Sequence, residues 1–141
     1  NKREFLLYSD YYGKEVVLTQ QDIRQLQLAK GAVHAAIQVL KQIAGLQDQD
    51  FEKILLAGTF GNYVNAENAI TIGLLPNLAP KDVKFIGNAA LEGAMKALVN
   101  SSYRKLALRI ARDSKYIELS GRSDFQEEFI NSLEFHATAV L

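Results

Sequence analysis

Cysteine is absent from this 141-residue chain, which excludes disulfides, thiolate nucleophiles and cysteine-held clusters within it. Histidine is scarce as well: His34 and His136 stand far apart and form no zinc pattern. There is no excess of either charge, because 16 basic and 16 acidic side chains cancel. Without a global field, nucleic acid and anionic membrane are poor partners. No run approaches the ~18 uninterrupted apolar residues of a membrane span, and the opening NKREFLLYSD lacks a signal peptide's apolar region and cleavage site. The chain therefore reads as cytosolic, with no membrane and no nucleic-acid partner. Its length suits one domain able to bury a core of its own. It opens in a charged-then-apolar stretch without methionine, which suggests a domain cut from a longer protein, with missing chemistry upstream.

Two short β-prone runs, Glu4 to Tyr8 and Glu15 to Leu18, flank Ser9, Asp10 and Gly13 and predict a hairpin or two edge strands. Thr19 with Asp22 matches a capping box, Gly45 supplies a stop, and apolar residues between them recur at helical spacing. Lys53 to Ala57 and Val83 to Ile86 read as strands buried on both faces. Each ends in glycine, Gly58 or Gly87, and each leads to a helix, from about Asn65 to Ile72 and from Asn88 to Val99. Ser102 to Arg112 predicts a further helix, Tyr116 to Leu119 a last strand, and Ser123 with Gln126 another capping box before a helix to about Leu133. Repeated strand-glycine-helix units predict an α/β fold, a mixed sheet with flanking helices.

The chemistry concentrates in KILLAGTFGNYVN, Lys53 to Asn65. Ligands of open α/β sheets lie at the carboxyl ends of strands, where a helix start offers free N–H groups to an anion. Glycine there admits a ligand where a Cβ would collide. A tight structural connection would use the same residues. The second turn, Phe85 to Ala94, enters a helix lined by Ala90, Gly93, Ala94 and Ala97, a surface that suits either an intradomain contact or another helix.

Strand-AGTFGNY, strand-GNAALEGA and the helix TQQDIRQLQLAKGAVHAAI resemble the carboxy-terminal part of the actin-like ATPase (ASKHA) superfamily, and more closely the ATP-dependent reductive activators of corrinoid proteins. The resemblance runs from Val16 to Phe135. It implies a ribonuclease H-like lobe of an ATPase domain whose parent uses ATP and magnesium. It implies a two-iron iron-sulfur cluster in a separate amino-terminal ferredoxin domain, and a corrinoid protein partner reduced from the cob(II)amide to the cob(I)amide state. The missing amino-terminal lobe of the same chain is a further partner, and a homodimer stays open. Gly58, Thr59, Phe60, Gly61 and Asn62 would form the adenosine motif, and Gly87 and Asn88, with Ala89, the hinge motif. Ala57-Gly58 departs from the paired glycines of many relatives. The phosphate loops and acidic metal-binding residues have no counterpart here, so the resemblance assigns this chain no catalytic and no metal-binding residue.

Lys30 lies beside the apolar stripe of the long helix, where related proteins use a basic residue at the adenine–ribose end; a solvated lysine is the alternative. Gln27, one turn earlier, could pair with the adenine edge. Asp48, Asp50 and Glu52 lack the further ligands of a calcium loop and read as solvated. His34, off the main stripe, reads as a surface or boundary residue rather than a general base. Tyr8, Tyr11 and Tyr12 suit edge packing or a partner contact. Two other readings remain: a lobe of a 2-hydroxyacyl-CoA dehydratase or benzoyl-CoA reductase activator, which carry cluster-ligating cysteines that this chain lacks, and a non-catalytic interaction module.

Overall fold

The computed structural model describes residues 4–135; His136 lies outside them. Strands β1 (Glu4–Ser9) and β2 (Glu15–Thr19) pair antiparallel with a register slip between Leu6 and Tyr8. Asp10 makes the turn, its Oδ1 accepting from the Tyr12 and Lys14 amides at 2.9 and 2.8 Å, while Gly13 takes φ +78°. Tyr11 and Tyr12 form an edge-to-face pair at the tip and stand 98% and 91% exposed, so the tyrosine cluster does not pack as an edge.

Helix α1 (Gln20–Ala44) begins and ends as its sequence predicts. Thr19 and Asp22 complete the capping box, with bonds of 2.8 and 3.1 Å, and Gly45 closes the helix in the left-handed region. The hydrogen bonds from Thr19 hold the Asp22 carboxyl below its ordinary pKa. Ala35 and Val39 are fully buried on this helix, which packs along α5 (Ser123–Asn131). Gly31 permits that approach: a Cβ there would lie 3.2 Å from Leu133 Cδ2 and 3.4 Å from Phe129 Cε2.

A second core forms where β3 (Ile54–Ala57) and β4 (Val83–Gly87) pair in parallel and α2 (Ala66–Thr71) lies behind them. Ala69, Leu74, Leu75 and Val83 are buried together, with Ile54, Leu56, Val64 and Ile70 against them. His34 bridges the two cores from α1. Its Nδ1 meets the Gly73 carbonyl at 2.9 Å, so Nδ1 must carry the proton and Nε2 accepts from the Gln38 amide at 3.1 Å. Lys41 extends this line, donating to Gln38 Oε1 at 3.0 Å and pairing with Asp48. Asp48 is thus an ion-pair partner and Asp50 a cap on the Gln47 amide, rather than free loop carboxylates.

Mixed α/β architecture with flanking helices is what the sequence predicts, but its strands form two separate two-stranded sheets among the described residues. Three expectations need correction. β3 and β4 are not covered on both faces: Leu55 is 59% exposed, and Phe85 and Ile86 are exposed too. Residues 116–119 form no strand, because their polar groups close locally: Glu118 accepts from the Ser120 hydroxyl and amide and from the Tyr116 hydroxyl, which hold its pKa at about 2. Ser123 is the first helical residue rather than a cap; Arg122 precedes it without a side-chain cap bond and pairs with Asp124 instead.

Helices α3 (Ala89–Val99) and α4 (Ser101–Asp113) form a hairpin around Asn100, which caps α4 through the Ser102 amide at 2.8 Å. Arg104 turns back to the Ala97 and Leu98 carbonyls, both at 3.2 Å. Neither helix buries a residue, and the small-residue face of α3 is not laid on the sheet. The chain as a whole exposes 11221 Å², where a folded monomer of this mass exposes about 7,300 Å².

The two helical glycines should respond in opposite ways. Gly31→Val should cost about 1–3 kcal/mol by wedging α5 from α1. Gly93→Ala, with nothing within 4 Å of its Cβ position, should stabilise this chain by about 0.5–1 kcal/mol. Urea unfolding of both variants against the parent sequence measures the contrast.

Candidate functional site

The glycine-ended strands meet at one point. β3 and β4 pair Ile54 with Val83, Leu55 with Lys84 and Leu56 with Phe85, then slip by one residue so that Ala57 faces Gly87. Both chains then turn through the left-handed region, at φ +85° for Gly58 and +61° for Gly87. The Gly58 N–H donates to the Gly87 carbonyl at 2.6 Å and ties the two turns together. A side chain with a Cβ is disfavoured at both positions on backbone grounds alone.

Glycine serves two purposes here. Among the described residues nothing lies within 4 Å of the Cβ position at Gly58 or Gly87, so both turns face open space on that side. Gly61 is buried, and its Cβ would come 3.1 Å from Phe85 Cδ1 and 3.3 Å from the Leu56 carbonyl. The first glycine leaves room for something outside the chain; the second lets the chain fold back on itself. Thr59–Asn62 consequently forms a 3-10 turn against the strand ends. Thr59 is exposed, and Phe60 and Asn62 lie on the turn by their backbone. The helix expected from about Asn65 follows three residues behind this turn: α2 begins at Ala66, where Asn65 Oδ1 accepts from the Asn68 amide at 2.9 Å. Behind Gly87 the helix does follow at once, with Asn88 Oδ1 accepting from the Leu91 amide at 3.0 Å. Glu92 lies in this first turn of α3 and pairs with Lys96 at 2.6 Å.

Gly58, Thr59, Gly61, Gly87 and Asn88 are thus brought together. Lys30 and Gln27 sit on α1, whose main packing partners are α5 and β2. Gln27 is half-buried. Lys30 is not the solvated lysine weighed above: it is 2% exposed, donates Nζ to the Glu134 carbonyl at 2.5 Å and lies 5.5 Å from the Phe135 ring centre. Burial pushes its pKa below the ordinary lysine value. Its ammonium anchors the chain beyond α5 onto α1, beside Gly73. Phe85, which closes over Gly61, and the Gly73 carbonyl, which orients His34, are contributions that sequence reasoning missed. The spacing of His34, Gln38 and Lys41 at i, i+4 and i+7 on one helix was the available signal for the second. Among the described residues no group of three or more acidic or histidine side chains could hold a metal ion.

The chain belongs to the family described as the C-terminal domain of RACo, the ASKHA domain, whose model matches residues 1–141. It is 37% identical over 123 residues to the corrinoid activation enzyme RamQ of Eubacterium limosum, covering 87% of this chain and 21% of that protein. It is 32% identical over 100 residues to a [Co(II) methylated amine-specific corrinoid protein] reductase of Methanosarcina barkeri, covering 71% and 18%. A solved structure, a reductive activator for corrinoid,iron-sulfur protein, superposes with a TM-score of 0.78 at 34% identity, over 94% of this chain and 22% of that one. The chain spans about a fifth of the length of these relatives.

The two uses of glycine are separable by a double-mutant cycle with Phe85. Gly61→Ala should cost about 1–3 kcal/mol by overpacking, and Phe85→Leu should recover part of that loss in the double variant. Gly58→Ala should cost about 1 kcal/mol through backbone strain and show no coupling to Phe85→Leu. Denaturant unfolding of the set provides the readout.

Proposed function

We propose that this chain is one lobe of the nucleotide cleft in an ATP-dependent reductive activator of a corrinoid protein, with its backbone turns at Gly58–Asn62 and Gly87–Asn88 forming a wall of the site. One observation carries the reading: two positive-φ glycines on neighbouring parallel strands, joined by the Gly58 to Gly87 hydrogen bond, with open space among the described residues where a side chain would stand. Such a wall accepts a ribose and phosphate against bare backbone. Membership of the family and the names of the relatives support the corrinoid part of the reading. The 11221 Å² of exposed surface supports a lobe that is covered elsewhere by its parent.

ATP with magnesium, when bound, supplies the free energy for an uphill one-electron reduction of cobalt. This chain's residues orient the nucleotide. Gly58 and Gly87 keep the strand ends open, Gly61 and Phe85 hold the turn against the sheet, and Asn88 fixes the start of α3. Phosphate clamps, metal-binding carboxylates and the iron-sulfur cluster belong to the rest of the parent, which acts in the cytosol. The chain alone is then a single inactive domain, a carboxy-terminal lobe. Lys30, spent on Glu134, keeps a structural task, and Gln27 remains the candidate on α1 for the adenine edge.

Gly45 provides a matched control, since it also has positive φ, at +69°, and also has nothing within 4 Å of its Cβ position. In the full-length parent Gly58→Val and Gly45→Val should carry similar backbone strain. Only Gly58→Val should weaken ATP binding per folded molecule, by about tenfold or more. Equal affinity in the two variants, from titrations corrected for folded fraction, would leave the glycine turn as a structural connection and favour the interaction-module reading.

A further inference from the structure

The core under α1 and the core under β3 and β4 meet at the turn that ends α2. Gly73 takes φ +74° there. Its N–H and those of Leu74 and Leu75 turn inward, to the Ile70 carbonyl at 2.9 Å and to the Ala69 carbonyl at 2.8 and 3.2 Å. The Gly73 carbonyl turns outward and accepts from His34 Nδ1 on α1 at 2.9 Å. Lys30, one turn earlier on α1, comes to the same place, its Nζ 3.6 Å from where a Cβ at Gly73 would stand. Leu74 and Leu75 are buried with Val83, the first residue of β4, and Gly87 is the last. The Gly73 carbonyl is therefore a fixed point of the unit that carries the glycine turns.

Three further polar side chains back this one bond. Gln38 holds the far side of the His34 ring by donating to Nε2 at 3.1 Å, Lys41 holds Gln38 by donating to Oε1 at 3.0 Å, and Asp48 pairs with Lys41. From Lys41 to Gly73 every donor points the same way. Filling the space would need no such line, since an apolar side chain packs as well; oriented donors fix the ring, and through it the place of the carbonyl. Gln27, half-buried, lies seven residues before His34, on the same face of α1 and about 10 Å along its axis.

We propose that His34 is a positioning residue: through the Gly73 carbonyl it sets the distance between Gln27 on α1 and the joined turns at Gly58 and Gly87, the two sides against which the nucleotide is held. The proposal rests on the nucleotide-cleft reading above, in which the turns meet ribose and phosphate and Gln27 meets the adenine edge.

The test measures the affinity of the full-length parent for a non-hydrolysable ATP analogue with magnesium, corrected for folded fraction, in His34→Leu, Gln27→Ala and the double variant. His34→Leu removes the donor and keeps most of the volume. It should weaken binding about fivefold, Gln27→Ala about as much, and the double variant no more than either alone. His34→Asn, whose Nδ2 can donate from the place of Nδ1, should restore binding to within about twofold of the parent. Inorganic tripolyphosphate, which has no adenine, should bind all of them alike. A parent that does not bind the analogue, or a Gln27→Ala variant that binds it as tightly as the parent, overturns the cleft reading and the proposal with it. Weakening by Gln27→Ala but not by His34→Leu overturns the proposal alone. So does a full further loss when His34→Leu is added to Gln27→Ala, or an equal loss for tripolyphosphate, since either means a general loosening of the fold. Should His34→Leu not fold, Gln38→Leu frees the ring without removing it; a loss of about twofold is expected there, and no loss overturns the proposal.

Discussion

The hydrogen bond from Gly58 to Gly87 ties together two strand ends at the point where both turn away from their sheet. β3 and β4 are a two-strand parallel pair, with no further strand on either edge among the described residues, and such a pair is weak without cover. The slip sets Ala57 opposite Gly87, and the positive φ of both glycines turns the backbone out of the strands from that point. One chain curls into the 3-10 turn under Phe85; the other runs straight into α3. The direction of the α3–α4 hairpin and the shape of the glycine turn are therefore set by the same few atoms.

Local signals were legible wherever a residue acts on its own neighbours. Thr19 with Asp22 bounded α1 at one end and Gly45 at the other, Asp10 and Gly13 made the hairpin turn, and the two glycine-ended strands were found with their helices. What failed to read correctly depends on distant partners. Tyr116 to Leu119 has strand composition but meets no strand, so Glu118 satisfies it locally. Leu55 and Phe85 look like residues of a doubly covered strand and are exposed here, as expected if their cover lies in another part of the parent. Lys30 reads as a surface lysine by helical spacing. Only the return of the chain after α5, more than a hundred residues later, buries it.

Within the candidate site the glycines were legible as a group but not by purpose. Spacing alone gives Gly58 and Gly61 the same standing. The structure separates them, since one faces open space and the other faces Phe85 and the Leu56 carbonyl. That distinction depends on the register of β3 against β4, which no local pattern encodes.

The central claim is that the joined turns at Gly58 and Gly87 form a wall of a nucleotide cleft. Amide hydrogen exchange on the full-length parent, with and without a non-hydrolysable ATP analogue and magnesium, addresses it directly. The account predicts added protection at residues 58–62 and 87–89, with α5 and the β1–β2 hairpin unchanged. Exchange at both turns that is identical with and without nucleotide, in a protein shown to bind it, would contradict the account.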